Sequence, residues 1–457
     1  MGHYPRILLT APSSGSGKTW ITCGILEALC ERGMKVASFK CGPDYIDPMF
    51  HAKVIGTTSK NLDTFFTDEE LTKYLFCRTA KQAEISVMEG VMGYYDGLAG
   101  ISTKGSAYDL AKVTCTNVLL IVNCKGMSLS ILPIIKGFLE YKEQSRIKGV
   151  ILNQLPASLY PELKQKIEQE LPIKVYGYVP KMEQYKIESR HLGLVLPDEI
   201  KELKENLKGF ASVLEGSLDI EGIIALANQT DDLSYQEPNI PKISSEVRIG
   251  VSKDEAFCFL YEDNLELLKQ MGASIEYFSP LHDNTLPEDL DGLLLCGGYP
   301  ELYAKKLSEN VSMRESVKNA IEKGIPYMAE CGGFMYLHRT MEDKEGHAYE
   351  MVGSIDADCY KTSRLGRFGY IELDSKENEI FGARLNGIKG HEFHYYDSTS
   401  NGNTCIAKKP LRKRTWECIH GDNKKMEGFP HLYYYSDFTV PYHFLQACES
   451  YMKNKGK

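Results

Sequence analysis

Apolar runs a few residues long recur along the chain, each closed by a turn rich in Gly, Pro, Asp or Ser. In the first half they are Arg6–Thr10, Lys35–Lys40, Ala83–Met88, Val118–Asn123, Lys148–Asn153 and Val175–Pro180. Runs this short and uninterrupted read as strands buried on both faces, the signature of a parallel sheet. Stretches with helical spacing, such as Trp20–Cys30, alternate with them and predict a doubly wound α/β sheet. From Asn228 to Ser245 the pattern fails: the segment is polar, holds Pro238 and Pro241, and reads as a linker. Strand patterns resume at Val247–Val251, Ala273–Phe278 and Gly292–Cys296. The expected division is a first domain over 1–230, a linker over 231–245 and a second α/β domain over 246–457.

A chain of 457 residues is long enough for two such cores. Its formal net charge of −9, without a long basic stripe, speaks against a nucleic-acid partner. No apolar run has the length needed to cross a membrane. The 13 cysteines fall at irregular spacings with no signal-peptide pattern ahead of them, and the 11 histidines show no metal-ligand spacing. A reduced, cytoplasmic protein without disulfides is expected. Cys23, Cys30, Cys115, Cys124 and Cys296 lie inside apolar runs, as small buried hydrophobes do.

Candidate chemistry collects at strand ends. Arg6–Thr10 feeds Ala11-Pro-Ser-Ser-Gly-Ser-Gly-Lys-Thr19 and then a helix, the context that a P-loop requires. The N–H groups of Gly15, Ser16 and Gly17 would cradle phosphate oxygens, Lys18 would reach the terminal phosphates, and Thr19 Oγ would bind Mg²⁺. Pro12 departs from the pattern, taking the place of its first Gly. Ser13 stands where partition-type ATPases carry an extra lysine, which weakens a nucleotide-switch reading.

The second strand ends in Cys41-Gly-Pro-Asp-Tyr-Ile-Asp-Pro48. Asp44 and Asp47 there either serve Mg²⁺ and a polar substrate or, with Pro43 and Pro48, simply make turns. The third ends at Glu89 and the Gly-rich loop to Gly97, placing another carboxylate at the same sheet edge as a ligand, direct or indirect, for the nucleotide's metal. Asn153 occupies a strand end where such folds carry a base-contacting Asn. Arg190 and His191, in an expected loop over Glu188–Leu194, either meet an anionic substrate or lie idle on the surface.

In the second half, the strand pattern Ile325–Met328 runs into Ala329-Glu-Cys-Gly-Gly-Phe334, and a helical pattern follows. Cys331 on so sharp a turn would be presented at the sheet edge, its thiolate stabilised by the helix N-terminus. Gly332 N–H would face an oxyanion, with Gly298, from the Gly297-Gly298 turn, as the second donor. A thiol nucleophile needs a base, and His338, His391, His394 and His431 are the candidates. His338, about two turns along the helix, would point away. His391 and His394 flank a strand-like run, and His431 closes another. The residues alone do not choose between His391 and His431.

Taken in order, these segments resemble the cobyrinate a,c-diamide synthase family over nearly the whole chain. The pieces that carry the resemblance are Ser-Gly-Ser-Gly-Lys-Thr, Lys-Cys-Gly-Pro-Asp-Tyr-Ile-Asp-Pro, Glu-Gly-Val-Met-Gly-Tyr-Tyr-Asp-Gly, Arg-His-Leu-Gly-Leu, Gly-Gly-Tyr-Pro-Glu-Leu-Tyr, Ala-Glu-Cys-Gly-Gly-Phe-Met-Tyr-Leu and Gly-His-Glu-Phe-His-Tyr. The resemblance implies a dethiobiotin-synthetase-like ATP domain joined to a class I-like glutamine amidotransferase domain. It implies Cys331 as glutaminase nucleophile and His431 as its activating base. Tyr433 replaces the second His of the family's Leu-His-Leu-His segment, and the resemblance supplies no acidic third member.

The activity implied is ATP- and Mg²⁺-dependent amidation of the a and c acetates of cobyrinic acid, through acyl phosphates, in cobalamin biosynthesis. Glutamine or ammonia supplies the nitrogen. Thr19, Asp47 and Glu89 would hold the metal, and Asp44 and Tyr45 would orient the tetrapyrrole. Nickel-sirohydrochlorin or hydrogenobyrinic acid are alternative substrates served by the same motifs. From another class, a partition-type switch ATPase remains as a rival. Monomer and homodimer stay equally open.

Overall fold

Arg6–Thr10 is buried at all five residues and forms the central strand of a seven-stranded sheet. Across that sheet the order is Thr58–Leu62, Val36–Cys41, Ile85–Glu89, Arg6–Thr10, Asn117–Asn123, Ile147–Asn153 and Lys174–Val179. Every neighbouring pair is parallel. This computed structural model describes residues 2–182, 197–377 and 379–455, so the expected Glu188–Leu194 loop, with Arg190 and His191, lies outside the described residues. The chain divides into two compact units, Met1–Pro238 and Asn239–Lys457. No helix among the described residues is long and apolar enough to cross a membrane.

In the first unit the helix Lys18–Glu31 lays Ile21, Ile25, Leu26 and Leu29 on the sheet, and Trp20 stacks on Phe210 at 5.0 Å. The strand Thr58–Leu62 was not expected from the sequence. Its residues, Thr-Ser-Lys-Asn-Leu, carry no apolar run, and it needs none, because it is the edge strand. What holds it is backbone pairing with Val36–Cys41, reinforced by Asn61 Nδ2, which donates to Gly42 O (2.9 Å) and Asp44 O (2.7 Å). Because Val36–Cys41, Ile85–Glu89 and Arg6–Thr10 are adjacent and parallel, the loops that follow them open on one sheet edge.

The second unit is built on a six-stranded sheet, ordered His420–Gly421, Lys425–Gly428, Tyr327–Glu330, Gly292–Leu295, Val247–Ser252 and Ala273–Phe278. All pairs are parallel except the first. Two smaller sheets accompany it. One is a mixed four-stranded sheet containing His338–Glu342, and the other an antiparallel five-stranded sheet containing Arg367–Ser375 and Ile388–His394.

Two local expectations are corrected here. The helix after Cys331 spans only Gly332–Leu337, so His338 opens a strand instead of lying two turns along a helix. His431 begins the two-residue strand His431–Leu432 rather than ending a longer one. Pro430, which lacks an N–H, separates it from Lys425–Gly428, and the chain crosses there from the six-stranded to the five-stranded sheet.

Candidate active site

In the first unit the phosphate-loop turn is made with Gly15 (φ +76) and Gly17 (φ +88) in the left-handed region, where a side chain would be strained. A Cβ on Gly17 would also meet Asn153 Nδ2 at 2.5 Å. Asn153 Nδ2 donates to Ser16 O at 2.9 Å, so the side chain expected at a base is engaged in bracing this loop. Ser16 Oγ donates to Ser13 O at 2.9 Å. Lys18 Nζ donates to Ser13 O (3.1 Å) and to Met92 O (2.5 Å), which draws the Gly90–Gly97 loop against the phosphate loop. Burial, and after it the neighbouring Lys40, lowers the Lys18 ammonium to about 8.

Behind this loop lies a charged cluster that the sequence reading only half anticipated. Thr19 Oγ1 donates to Glu89 Oε1 at 2.6 Å, and Lys40 Nζ reaches the same oxygen at 2.7 Å. Lys40 also forms an ion pair with Asp47, and His51 Nε2 stands 3.4 Å from Glu89 Oε2. Burial alone would lower Lys40, but Glu89, Asp47 and Asp44 outweigh it and hold the ammonium charged. Burial would likewise raise Glu89, yet Lys40 and His51 hold it well below the usual carboxylate range. Asp47 is pushed up by burial and by Glu89, since one lysine lies between two carboxylates.

Lys40 and His51 were missed because neither lies in a motif: Lys40 closes the apolar run Lys35–Lys40 and His51 follows the Asp44–Pro48 turn. The register of Lys40 opposite Glu89 supplies the meaning. The oxygens of Thr19, Glu89 and Asp47 are the hard donors that suit Mg²⁺. No cluster of three or more His, Cys, Asp or Glu ligands occurs among the described residues. Asp44 Oδ1 accepts from Ile46 N at 2.8 Å and so closes its own turn, while Tyr45 beside it is buried.

In the second unit, Cys331 has φ +46 and ψ −100, a strained conformation for a residue with a Cβ, at the tip of the strand Tyr327–Glu330. Cys331 N donates to Gly428 O at 2.8 Å, and Cys331 O accepts from Met335 N at 2.8 Å, fixing the elbow from both sides. The Gly297-Gly298 turn lies beside it: a Cβ on Gly332 would fall 3.0 Å from Gly298 N. A Cβ on Gly298 would fall 2.0 Å from Ala256 O, so only glycine fits that turn. A Cβ on Gly297 would fall 2.4 Å from His431 Cε1. The elbow and the imidazole of His431 thus both lie against the Gly297-Gly298 turn.

His391 pairs in register with His431, and their rings stack with centroids 4.9 Å apart, so the sheet brings both candidate histidines together. The other two are otherwise occupied. His338 is buried with Nδ1 at Phe334 O (2.8 Å) and Nε2 at Ser398 Oγ (2.6 Å). His394 lies on Phe429 with ring centroids 4.0 Å apart and contacts Glu392. Tyr433, in place of the family's second His, donates to Asp263 Oδ2 at 3.2 Å.

One electrostatic expectation is overturned. Cys331 is 5 % exposed, and burial, with Glu301 and Glu392 adding to it, pushes its thiol well up. The Gly332 N–H opposes this and loses, because a six-residue helix offers little and the apolar surroundings penalise a thiolate more. Burial also lowers His431 well below its usual range, with His391 and His394 contributing. Burial thus favours the neutral form of both side chains.

Known protein families match both halves of the chain. Residues 7–195 match the model of a CobQ/CobB/MinD/ParA nucleotide binding domain, and residues 248–427 that of a CobB/CobQ-like glutamine amidotransferase domain. The cobyrinate a,c-diamide synthase of Caldanaerobacter subterraneus subsp. tengcongensis is 38 % identical over 447 residues, covering 97 % of this chain and 98 % of the relative. The same-named proteins of Priestia megaterium and Thermoplasma volcanium are 35 % and 36 % identical, with 98 % and 99 % of both chains covered. With both domain models matched in order and relatives of this identity over nearly its full length, the chain belongs to the cobyrinate a,c-diamide synthase family.

Proposed function

We propose that the protein amidates the a and c acetate carboxylates of cobyrinic acid, using ATP and glutamine. Supporting this reading most directly is the Gly297-Gly298 turn, packed against both the Cys331 elbow and the His431 imidazole in a chain that also carries a phosphate loop. A carboxylate resists ammonia because oxide is a poor leaving group. In the first unit a substrate carboxylate oxygen attacks the γ-phosphorus, the bond to ADP breaks, and an acyl phosphate forms. Lys18 turns its N–H donors from the Ser13 and Met92 carbonyls to the phosphoryl oxygens, and the N–H groups of Gly15, Ser16 and Gly17 line the cradle. Mg²⁺, held by Thr19 and Glu89 with Asp47 beside them, would neutralise charge on the transferring group when bound. The loop bearing Asp44 and Tyr45 is assigned to the acid substrate.

In the second unit His431 takes the Cys331 proton as sulfur attacks the glutamine amide carbon. Gly298 and Gly332 N–H groups receive the oxyanion. The C–N bond breaks with the proton returned to departing ammonia, and water then releases glutamate from the thioester. Ammonia displaces phosphate from the acyl phosphate to give the amide.

The test uses the whole chain with ATP, Mg²⁺ and either glutamine or ammonium, offered cobyrinic acid and nickel-sirohydrochlorin in parallel. Two successive mass changes of carboxylate to amide on cobyrinic acid are expected. Cys331→Ser should lose glutamine-dependent turnover by at least about 1,000-fold and keep ammonium-dependent turnover. Loss of both would refute the division of labour.

A further inference from the structure

A thiol–imidazole pair works only if the second ring nitrogen is held protonated, so that the first can accept from sulfur. The family resemblance supplies no acid for that purpose, and Tyr433 is turned to Asp263. Yet Glu330, the last residue of the elbow strand, places Oε2 3.8 Å from His431 Nδ1. Its Oε1 accepts from Leu432 N at 3.4 Å, tying the carboxyl to the short strand that carries the imidazole. Both side chains are buried, Glu330 at 9 % exposure and His431 at 1 %. Glu330 also lines a small cavity with Met328, Met426, Pro430 and Leu432.

We propose that Glu330 is the positioning residue of the glutaminase pair: it accepts from His431 Nδ1, fixes the ring's tautomer and orientation, and faces the imidazolium formed during attack. The inference rests on the reading of Cys331 and His431 given above. When the S–H bond breaks, its proton bonds to Nε2, and the positive charge that appears on the ring lies next to a carboxylate. When ammonia leaves, that proton departs with it and the ring returns to neutrality. Glu330 touches neither sulfur nor substrate. The acid is supplied by the residue before the nucleophile, a position from which a strand-to-helix elbow can reach the neighbouring imidazole, and not from the segment that follows the histidine. Burial holds this carboxyl up to about 8, so an adjoining imidazolium would favour its ionisation.

The test compares Glu330→Gln, Glu330→Asp and Cys331→Ala in the full chain, each assayed with glutamine and with ammonium. For Glu330→Gln the glutamine-dependent kcat should fall at least about 100-fold with KM for glutamine within about twofold, and ammonium-dependent turnover should stay within about twofold of the parent. Glu330→Asp keeps the charge on a shorter arm and should recover at least about tenfold over the Gln variant. Unchanged glutamine turnover in Glu330→Gln, equal loss with both nitrogen donors, or equal loss in the Asp and Gln variants would overturn the proposal. If Cys331→Ala retains glutamine-dependent turnover, the underlying thiol reading has failed instead.

Discussion

The two reactive ends of this molecule bury ionisable groups in opposite ways. In the first unit Lys40, Asp47 and Glu89 are nearly inaccessible but lie in mutual contact, so the ammonium and Glu89 stay charged in spite of burial. In the second, Cys331, His431 and Glu330 are equally inaccessible, and burial drives each toward its neutral form. The contrast follows the ligands. A nucleotide brings several negative charges at once, and a site with cations already in place spends nothing on creating them at the moment of reaction. Glutamine's amide is neutral, and charge appears only as the bond breaks. On the proposed reading, a buried, neutral site there would keep the thiol quiet until a proton can move.

The largest effect that bears on this contrast is at Lys18. Lys18→Met should lower ATP-dependent amidation about 1,000-fold with glutamine and with ammonium alike, because it removes charge from the step both nitrogen donors share. Survival of ammonium-dependent turnover would place the phosphoryl-transfer charge elsewhere. Next is Lys40→Met, which strands two buried carboxylates. It should cost about 3–5 kcal/mol in the unfolding transition of the first unit, and adding Asp47→Asn and Glu89→Gln should restore most of it. Calorimetry reads this directly, and an unaltered transition would mean that the cluster is solvated and the comparison false.

The smallest effect is one of proton linkage. Lys18 is lowered from 10.5 to about 8 in the fold, so the unfolded chain binds more protons between those values. This lysine therefore works against stability below about 8 and stops doing so as pH rises toward 10.5. Phosphate oxygens favour the charged form, so nucleotide binding near pH 8.5 should take up a fraction of a proton, and little near pH 7. Titration calorimetry in buffers of different ionisation enthalpy measures the uptake, and Lys18→Met should abolish it.

The two mainly parallel sheets are legible as a string because their strands are short, mostly apolar runs closed by turns. Ala273–Phe278 has the same bounds in sequence and structure, and Arg6–Thr10 likewise. Thr58–Leu62 escapes because an edge strand held by backbone pairing and Asn61 leaves no apolar trace. His338 misleads because nothing in Gly332–Leu337 marks so early a helix end. Motif spacing makes the elbow and the phosphate loop visible, since each depends on glycine at positions where a Cβ would be strained or would strike backbone.

The sequence by itself determined the order of chemistries: a Gly-Lys-Thr turn after one buried strand, and a Cys-Gly-Gly turn after another. Both are local, fixed by residues adjacent in the chain. Only the tertiary structure decided their company. Lys40 meets Glu89 through the register of two strands, and His431 meets Glu330 because Pro430 carries the chain from one sheet to another. The state of each group was likewise undecided until then. A thiol or carboxyl is charged or neutral according to how much water it loses and which partners replace that water, and both are set by residues distant in sequence.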